Sequence, residues 1–168
     1  MNSIVSAEVT FKNGEQKIRE WTSQTANGNI IQYLPFHITM LYGCNGFAPN
    51  MQKFIIEALD PQHPLYINPL KPIGFDIFPN KKKNYNALAI KYEWPAGKIV
   101  NAELASDPTI FPKGIDSGFN GKNFTVHVTI AYIDGNIQLD KALIATKIEE
   151  IGLSFFDLTI KGVTLEIS

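Results

Sequence analysis

The chain opens on a two-residue alternation. Val5, Ala7, Val9 and Phe11 are apolar against Ser6, Glu8 and Thr10, which predicts a strand with one buried face, ended by the turn-former Lys12-Asn13-Gly14. Glu15 to Asn29 is polar apart from Ile18 and Trp21, and reads as a short helical turn or a loop closed by Asn27-Gly28-Asn29. Ile30 to Tyr42 reads as extended and broken at Pro35. A helix follows from Pro49-Asn50, with Asn50 as its N-cap. Met51, Phe54, Ile55, Ala58 and Leu59 recur there at helical spacing until Asp60-Pro61 stops it.

Pro61, Pro64, Pro69, Pro72 and Pro79 punctuate the middle and allow only short or edge strands, at Tyr66-Ile67 and Ile73 to Phe78. Asn86 to Trp94 is a better strand. Lys98 to Ala105 reads as a short helix with Ile99, Ala102 and Leu104 as its apolar members. Ser106 to Asn123, rich in Gly, Pro, Asp and Asn, is a loop long enough to suggest a lid. Phe124 to Ile133 is a strand, Asp134-Gly135 a turn, and Leu139 to Ile151 a helix closing at Gly152. Phe155 to Ile160 and Val163 to Ile167 finish as a strand pair about Lys161-Gly162. Seven or eight strands and two or three helices, not strictly alternating, predict an α+β protein with mostly antiparallel sheets.

Composition narrows the function classes. With 168 residues, 45% hydrophobic and 18% charged, the chain can bury a core as one domain, and no linker divides it. The balance of 15 Lys+Arg against 16 Asp+Glu speaks against gripping long nucleic acid by bulk charge, while leaving room for a small anionic ligand in a locally positive cleft. No apolar stretch approaches the ~20 residues of a membrane span, and Met1 to Ser6 carries no signal-peptide pattern. Cys44 is alone, which excludes an intrachain disulfide and suits a reducing cytoplasm.

Two segments are alike. Pro35-Phe36-His37-Ile38-Thr39-Met40-Leu41-Tyr42 and Thr125-Val126-His127-Val128-Thr129-Ile130-Ala131-Tyr132 both read apolar-His-apolar-Thr-apolar-apolar-Tyr, so the chain looks like an internal duplication. Residues two apart on a strand share a face, so His37 and Thr39 point one way, with Ile38, Met40 and Tyr42 opposite. His127 and Thr129 likewise oppose Val128, Ile130 and Tyr132, which makes both tyrosines core residues on this reading. One histidine on an apolar strand is ordinarily a hydrogen-bonded core residue. Here two of only three histidines share the context. If the halves pack about a pseudo-twofold axis, two His and two Thr converge on one cleft.

That set suits phosphodiester cleavage. The reaction needs a base for the attacking group and an acid for the leaving oxygen, and imidazole serves as either near neutral pH. The Thr hydroxyls would donate to non-bridging phosphate oxygens. Two histidines without a carboxylate or thiolate on their strands make a poor zinc site, so neither metal nor cofactor is expected.

The paired H-x-T motifs resemble those of the 2H phosphoesterase superfamily, which includes LigT-like RNA phosphodiesterases, plant-type cyclic phosphodiesterases, viral 2′,5′-oligoadenylate phosphodiesterases and phage enzymes that destroy cyclic oligonucleotide alarm signals. The resemblance implies a bilobal, pseudo-symmetric α+β fold whose two antiparallel sheets face a central cleft, with helices outside and intertwined lobes spanning residues 1–168. It implies metal-independent catalysis by His37 and His127, with Thr39 and Thr129 holding the phosphate. The motifs lie 90 residues apart, on the long side for such a pair.

The expected substrate is a nucleotide or short oligonucleotide. Cleavage of 2′,3′-cyclic phosphates and of cyclic di- or oligonucleotide signals rank together, ahead of 2′,5′-oligoadenylate. A monomer in the cytoplasm (the host's, for a phage or viral protein) is the expected setting, and the Asn-, Lys- and Ile-rich composition would suit an AT-rich source. The alternative is a protein of the same fold that sequesters a nucleotide uncleaved. Phe36, Tyr85, Trp21, Trp94 and Phe119 could stack on a base. Lys81-Lys82-Lys83, the only basic run, reads as a solvated turn that could draw phosphates, Lys83 being nearest Tyr85. His63 reads as an exposed loop residue, Cys44 lacks a base for nucleophilic use, and the pattern requires no role for Lys161 or Glu166.

Overall fold

The structure, a computed structural model, describes residues 3–167 other than 34, 45, 48 and 64–69, and only the backbone of residues 49 and 167. The expected strand at Tyr66-Ile67 lies outside the described residues. Seven strands and four α-helices are described: β1 (Ser3–Phe11), α1 (Glu15–Thr25), β2 (Ile30–Gln32), β3 (His37–Leu41), α2 (Gln52–Ala58), β4 (Lys71–Asn80), β5 (Tyr85–Glu93), α3 (Pro95–Ala105), β6 (His127–Asp134), α4 (Lys141–Ile151) and β7 (Leu158–Ile167). They form two antiparallel sheets, one ordered β3-β1-β7 and the other β2-β6-β5-β4. The α+β architecture with two antiparallel sheets agrees with the sequence reading.

The topology is a duplication with exchanged strands. The first repeat runs β1-α1-β3-α2-β4 and the second β5-α3-β6-α4-β7, with β2 an addition to the first. Within each repeat the first strand pairs with the third element, β1 with β3 and β5 with β6. The last strand of each then crosses to the other sheet, so that β4 pairs with β5 and β7 with β1. β2 also crosses, pairing with β6. The two motif strands, β3 and β6, meet where the sheets adjoin.

One core fills the space behind both sheets. Val5, Ala7 and Val9 from β1 and Ile38 from β3 are buried on one sheet, as are Leu88 and Ile90 from β5 and Val128 from β6 on the other. Burying each of the valine, leucine and isoleucine side chains contributes roughly 1.5–3 kcal/mol. Trp21 and Phe156 meet edge-on at 5.0 Å between α1 and the turn before β7. The polar faces of the sheets are left for the site.

Several elements differ from their sequence reading. The polar segment after Gly14 is a full helix of 11 residues, because Ile18, Trp21, Thr22 and Thr25 form a buried stripe in which both threonine hydroxyls donate back to carbonyls four residues earlier. Asn50 does not cap α2; a 3-10 turn, Pro49–Met51, precedes it and Met51 stands at the cap. Pro72 and Pro79 do not shorten β4, which lies at a sheet edge where a missing N–H costs no ladder bond. Ile99 is 60% exposed, and α3 buries Gly97, Asn101 and Leu104 instead. Lys161-Gly162 is no turn but a bulge inside one long β7, where Ile160 pairs with Val9 and Gly162 with Glu8. The segment from Asp107 to Asn123 packs down rather than standing as a lid: Ile110, Phe111 and Asn120 are buried.

Candidate active site

His37, Thr39, His127 and Thr129 line one open cleft of ≈ 380 Å³ between the two sheets. Tyr42 and Tyr132 line it too, against the expectation that they face the core. The reason is a β-bulge at the same place in each motif. Thr39 pairs with Ser6 and Leu41 with Val5, leaving Met40 as the extra residue; Thr129 pairs with Ala89 and Ala131 with Leu88, leaving Ile130 extra. A bulge inserts one residue and resets the alternation. The tyrosine five residues after each histidine therefore returns to the histidine's face, while Leu41 and Ala131 go to the core.

The first bulge is locked by two buried asparagines. Asn101 Nδ2 donates to the Met40 carbonyl at 2.7 Å, and Asn120 holds both backbone groups of Tyr42, accepting from its N–H at 3.0 Å and donating to its carbonyl at 2.8 Å. Asn101 Oδ1 accepts from the Gly121 N–H at 2.7 Å. These bonds answer the bulge's unpaired backbone groups, whose loss inside the fold would cost about 1–3 kcal/mol each. They also tie the segment before β6 to β3. Gly43 allows the close approach: its φ is 56°, and a Cβ there would lie 2.8 Å from that of Asp116.

Both imidazoles are held in the same way. His37 Nδ1 lies 3.2 Å from the Pro35 carbonyl, and His127 Nδ1 lies 3.2 Å from the Thr125 carbonyl. A carbonyl only accepts, so each Nδ1 carries its proton there and Nε2 is left for proton exchange. Burial pushes the His127 pKa below the ordinary value of 6.5; the Thr125 carbonyl and the Asp76 charge oppose this, and the nearby charge of His37 adds to it. The two rings are therefore electrostatically coupled across the cleft.

Their cross-strand neighbours differ in charge. His37 stands opposite Glu8 on β1, which stands opposite Gly162 on β7. His127 stands opposite Lys91 on β5, which stands opposite Gly74 on β4. The rows Gly-Glu-His and Gly-Lys-His are equivalent under the duplication, each beside a bulge, at Lys161 and at Ile73.

Aromatic rings form the walls. Tyr85 and Tyr132 pack at 4.2 Å, Tyr42 and Phe119 at 4.9 Å, and Phe78 against His127 at 4.8 Å. Burial raises the pKa of Tyr42 and Tyr132, and the Thr39 hydroxyl opposes the shift at Tyr42.

Of the stacking candidates, Tyr85 and the exposed Phe119 lie in the cleft wall. Trp21 is core, packed on Phe155 and Phe156, and Trp94 is buried at the start of α3. Phe36 is 6% exposed and packs edge-on against Phe11 at 4.8 Å, so neither its face nor that of Trp21 is offered to a base. Lys83 sits in the turn between β4 and β5, outside the cleft lining, while Asn80 and Tyr85 at its ends belong to it. His63 is partly buried in the turn after α2, not exposed as expected. Cys44 is buried with its thiol pushed up to about 11, and Sγ donates to the Ser3 carbonyl. Among the described residues, no three His, Cys, Asp or Glu side chains are grouped to hold a metal ion, and no helix is long and apolar enough to cross a membrane.

No protein-family model and no curated protein matches the chain. Solved structures do. Kluyveromyces marxianus Usb1 superposes with a TM-score of 0.58 at 12% identity, covering 98% of this chain and 93% of Usb1. Kluyveromyces marxianus Usb1 with uridine monophosphate gives a TM-score of 0.54 at 11% identity, covering 98% and 96%. At such identities the likeness is one of fold.

Proposed function

We propose that this chain is a phosphodiesterase of the two-histidine type that cleaves a nucleotide phosphodiester. The observation that carries the reading is two imidazoles, each with Nδ1 tied to the carbonyl two residues upstream, lining one cleft with a threonine beside each. The fold likeness to a protein solved with uridine monophosphate supports a nucleotide ligand, and the paired H-x-T motifs support the 2H phosphoesterase resemblance.

His127 is the general base. Its lowered pKa keeps it neutral at neutral pH, with the Nε2 lone pair free to accept a proton from water or from a neighbouring ribose hydroxyl. His37, with a carboxylate as its cross-strand neighbour, is the acid that protonates the departing oxygen. Thr39 and Thr129 donate to the non-bridging oxygens, which carry the growing negative charge in the transition state. The Tyr85–Tyr132 and Tyr42–Phe119 pairs offer platforms for a base, each such stack contributing about 1–3 kcal/mol. The Lys81–Lys83 turn at the end of the β4–β5 hairpin adds positive charge that draws a phosphate-bearing ligand.

The test is a substrate panel: 2′,3′-cyclic mononucleotides, cyclic di- and oligonucleotides, and 2′,5′-oligoadenylates, with the wild type beside His37→Ala and His127→Ala. Mass spectrometry should find product from at least one class with the wild type and none with either variant. Ligand bound and returned intact on denaturation would make the protein a nucleotide-sequestering one. Turnover that survives both substitutions would overturn the reading.

A further inference from the structure

The two motif strands are supported differently on their outer sides. In the second half β2 pairs with β6 there, placing Gln32 opposite Tyr132 and Ile30 opposite Ile133. β3 is the outermost strand of its sheet among the described residues, so past its bulge the backbone has no outer strand to meet. Side chains stand in for one. Asn101 donates to the Met40 carbonyl, and Asn120 takes both backbone groups of Tyr42. A side-chain amide carries a carbonyl and an NH2, the same kinds of group that a neighbouring strand presents.

Asn120 is buried, and its amide has no hydrogen-bonding place left. Oδ1 accepts from the Tyr42 N–H and, at 3.3 Å, from Asn101 Nδ2, while Nδ2 donates to the Tyr42 and Asp116 carbonyls. It is absent from the cleft lining, but its neighbour in the chain is not. The exposed Phe119 packs on the Tyr42 ring at 4.9 Å, and both rings line the cleft. Phe119 sits in a turn closed on itself, with the Gly118 N–H on Asp116 Oδ1 at 2.7 Å and Asn123 Nδ2 on the Ser117 carbonyl at 2.8 Å. Asn120 fastens that turn to β3.

We propose that Asn120 is a positioning residue for substrate binding: it replaces a missing outer strand and sets the Tyr42–Phe119 ring pair against the cleft. The inference rests on the phosphodiesterase reading for what the rings bind. It goes further in assigning the placement of one wall to a side chain that meets no ligand. Alanine at this position removes the tie altogether. Aspartate keeps the shape and the acceptor for the Tyr42 N–H, yet turns an oxygen toward two carbonyls, so the tie breaks without a cavity.

The test compares Asn120→Ala and Asn120→Asp with Ile148→Ala, a core change on α4 outside the cleft lining, under conditions where each is folded. Aspartate carries the test where alanine fails to fold. The ring contact is read first, by NMR. The nuclear Overhauser effect between the Tyr42 and Phe119 rings should be present in wild type and Ile148→Ala and lost in both Asn120 variants. There the Tyr42 amide should exchange roughly tenfold faster or more, with the Tyr132 amide unchanged. Binding is read second, with uridine monophosphate by calorimetry and with the panel substrate that the wild type cleaves. Kd and KM should rise about tenfold in the Asn120 variants, with kcat falling less than about threefold, and Ile148→Ala should move neither. Adding Asn120→Ala to Phe119→Ala should give the KM of Asn120→Ala alone rather than the product of the two effects. A wild type that neither turns over a substrate nor binds uridine monophosphate would remove the phosphodiesterase reading, and the ring contact would then decide whether Asn120 places the wall. Ring contact that persists in the folded Asn120 variants would overturn the assignment, as would Kd and KM values that stay at the wild-type level or rise equally in Ile148→Ala.

Discussion

The two half-sites share a backbone plan and differ in surroundings. Each has a strand carrying His, Thr and Tyr on one face through a bulge, a carbonyl holding Nδ1, and a glycine at the far end of the histidine's row. In one half the residue beside the imidazole is Glu8, with a groove continuing beyond it. In the other it is Lys91, the imidazole is half-buried and packs against Phe78, and its pKa is lowered. The repeated topology gives matching geometry, and the difference in neighbours is what the proposed reading uses to assign one ring as base and the other as acid. A symmetric pair would have no reason to divide into donor and acceptor.

The strongest way to break the comparison is to remove either ring. His37→Ala and His127→Ala should each reduce kcat by about 10²–10⁴-fold, or ~3–5 kcal/mol, and the double variant should lose little more, because the pair acts as a unit. A double loss equal to the product of the single losses would mean that the rings work separately.

Next comes the asparagine clamp of the first half. Asn120→Ala strands the Tyr42 N–H and carbonyl, and should destabilise the fold by about 2 kcal/mol in urea unfolding. A change within error would show that water replaces the side chain there.

The pH dependence sharpens the contrast in burial. His127 titrates below 6.5 when folded and near 6.5 when unfolded, so the unfolded chain binds more protons between these values. Its contribution to stability is therefore present above pH 6.5 and is lost as pH falls through the folded pKa. His127→Gln should flatten that decline. In the wild type the acid limb of kcat/KM should have its midpoint below 6.5, and a midpoint at or above it would remove His127 as the base.

The smallest effects are at the rim and in the buffer. Phe119→Ala, which removes the partner of Tyr42, should raise KM a few-fold with kcat nearly unchanged. Chelation by EDTA should leave turnover at its full value, and loss restored only by a divalent ion would point to a metal mechanism.

The sequence disclosed the histidines and threonines because the same spacing occurs twice, and repetition is a signal that survives without knowing the fold. It misassigned Tyr42 and Tyr132 because strict alternation was carried across Met40 and Ile130. A bulge has no composition of its own, and only the pairing with β1 and β5 reveals the extra residue. Lys161-Gly162 was misread for the related reason that a Lys-Gly pair looks alike in a turn and in a bulge. The α1 helix was hidden by its polarity, since two of its four buried residues are threonines satisfied by their own helix. Glu8 and Lys91 could not be connected to the histidines at all, because a cross-strand neighbour is set by register, which local sequence does not encode.

The exchange of β4 and β7 means that neither repeat finishes a sheet by itself. A nick in the Lys81–Asn84 turn would yield two fragments, one ending in a strand whose ladder partner is on the other, and each missing one imidazole of the pair. Such halves should stay unstructured apart and regain both their shape and their chemistry only when mixed, as two pieces of one object rather than two small proteins.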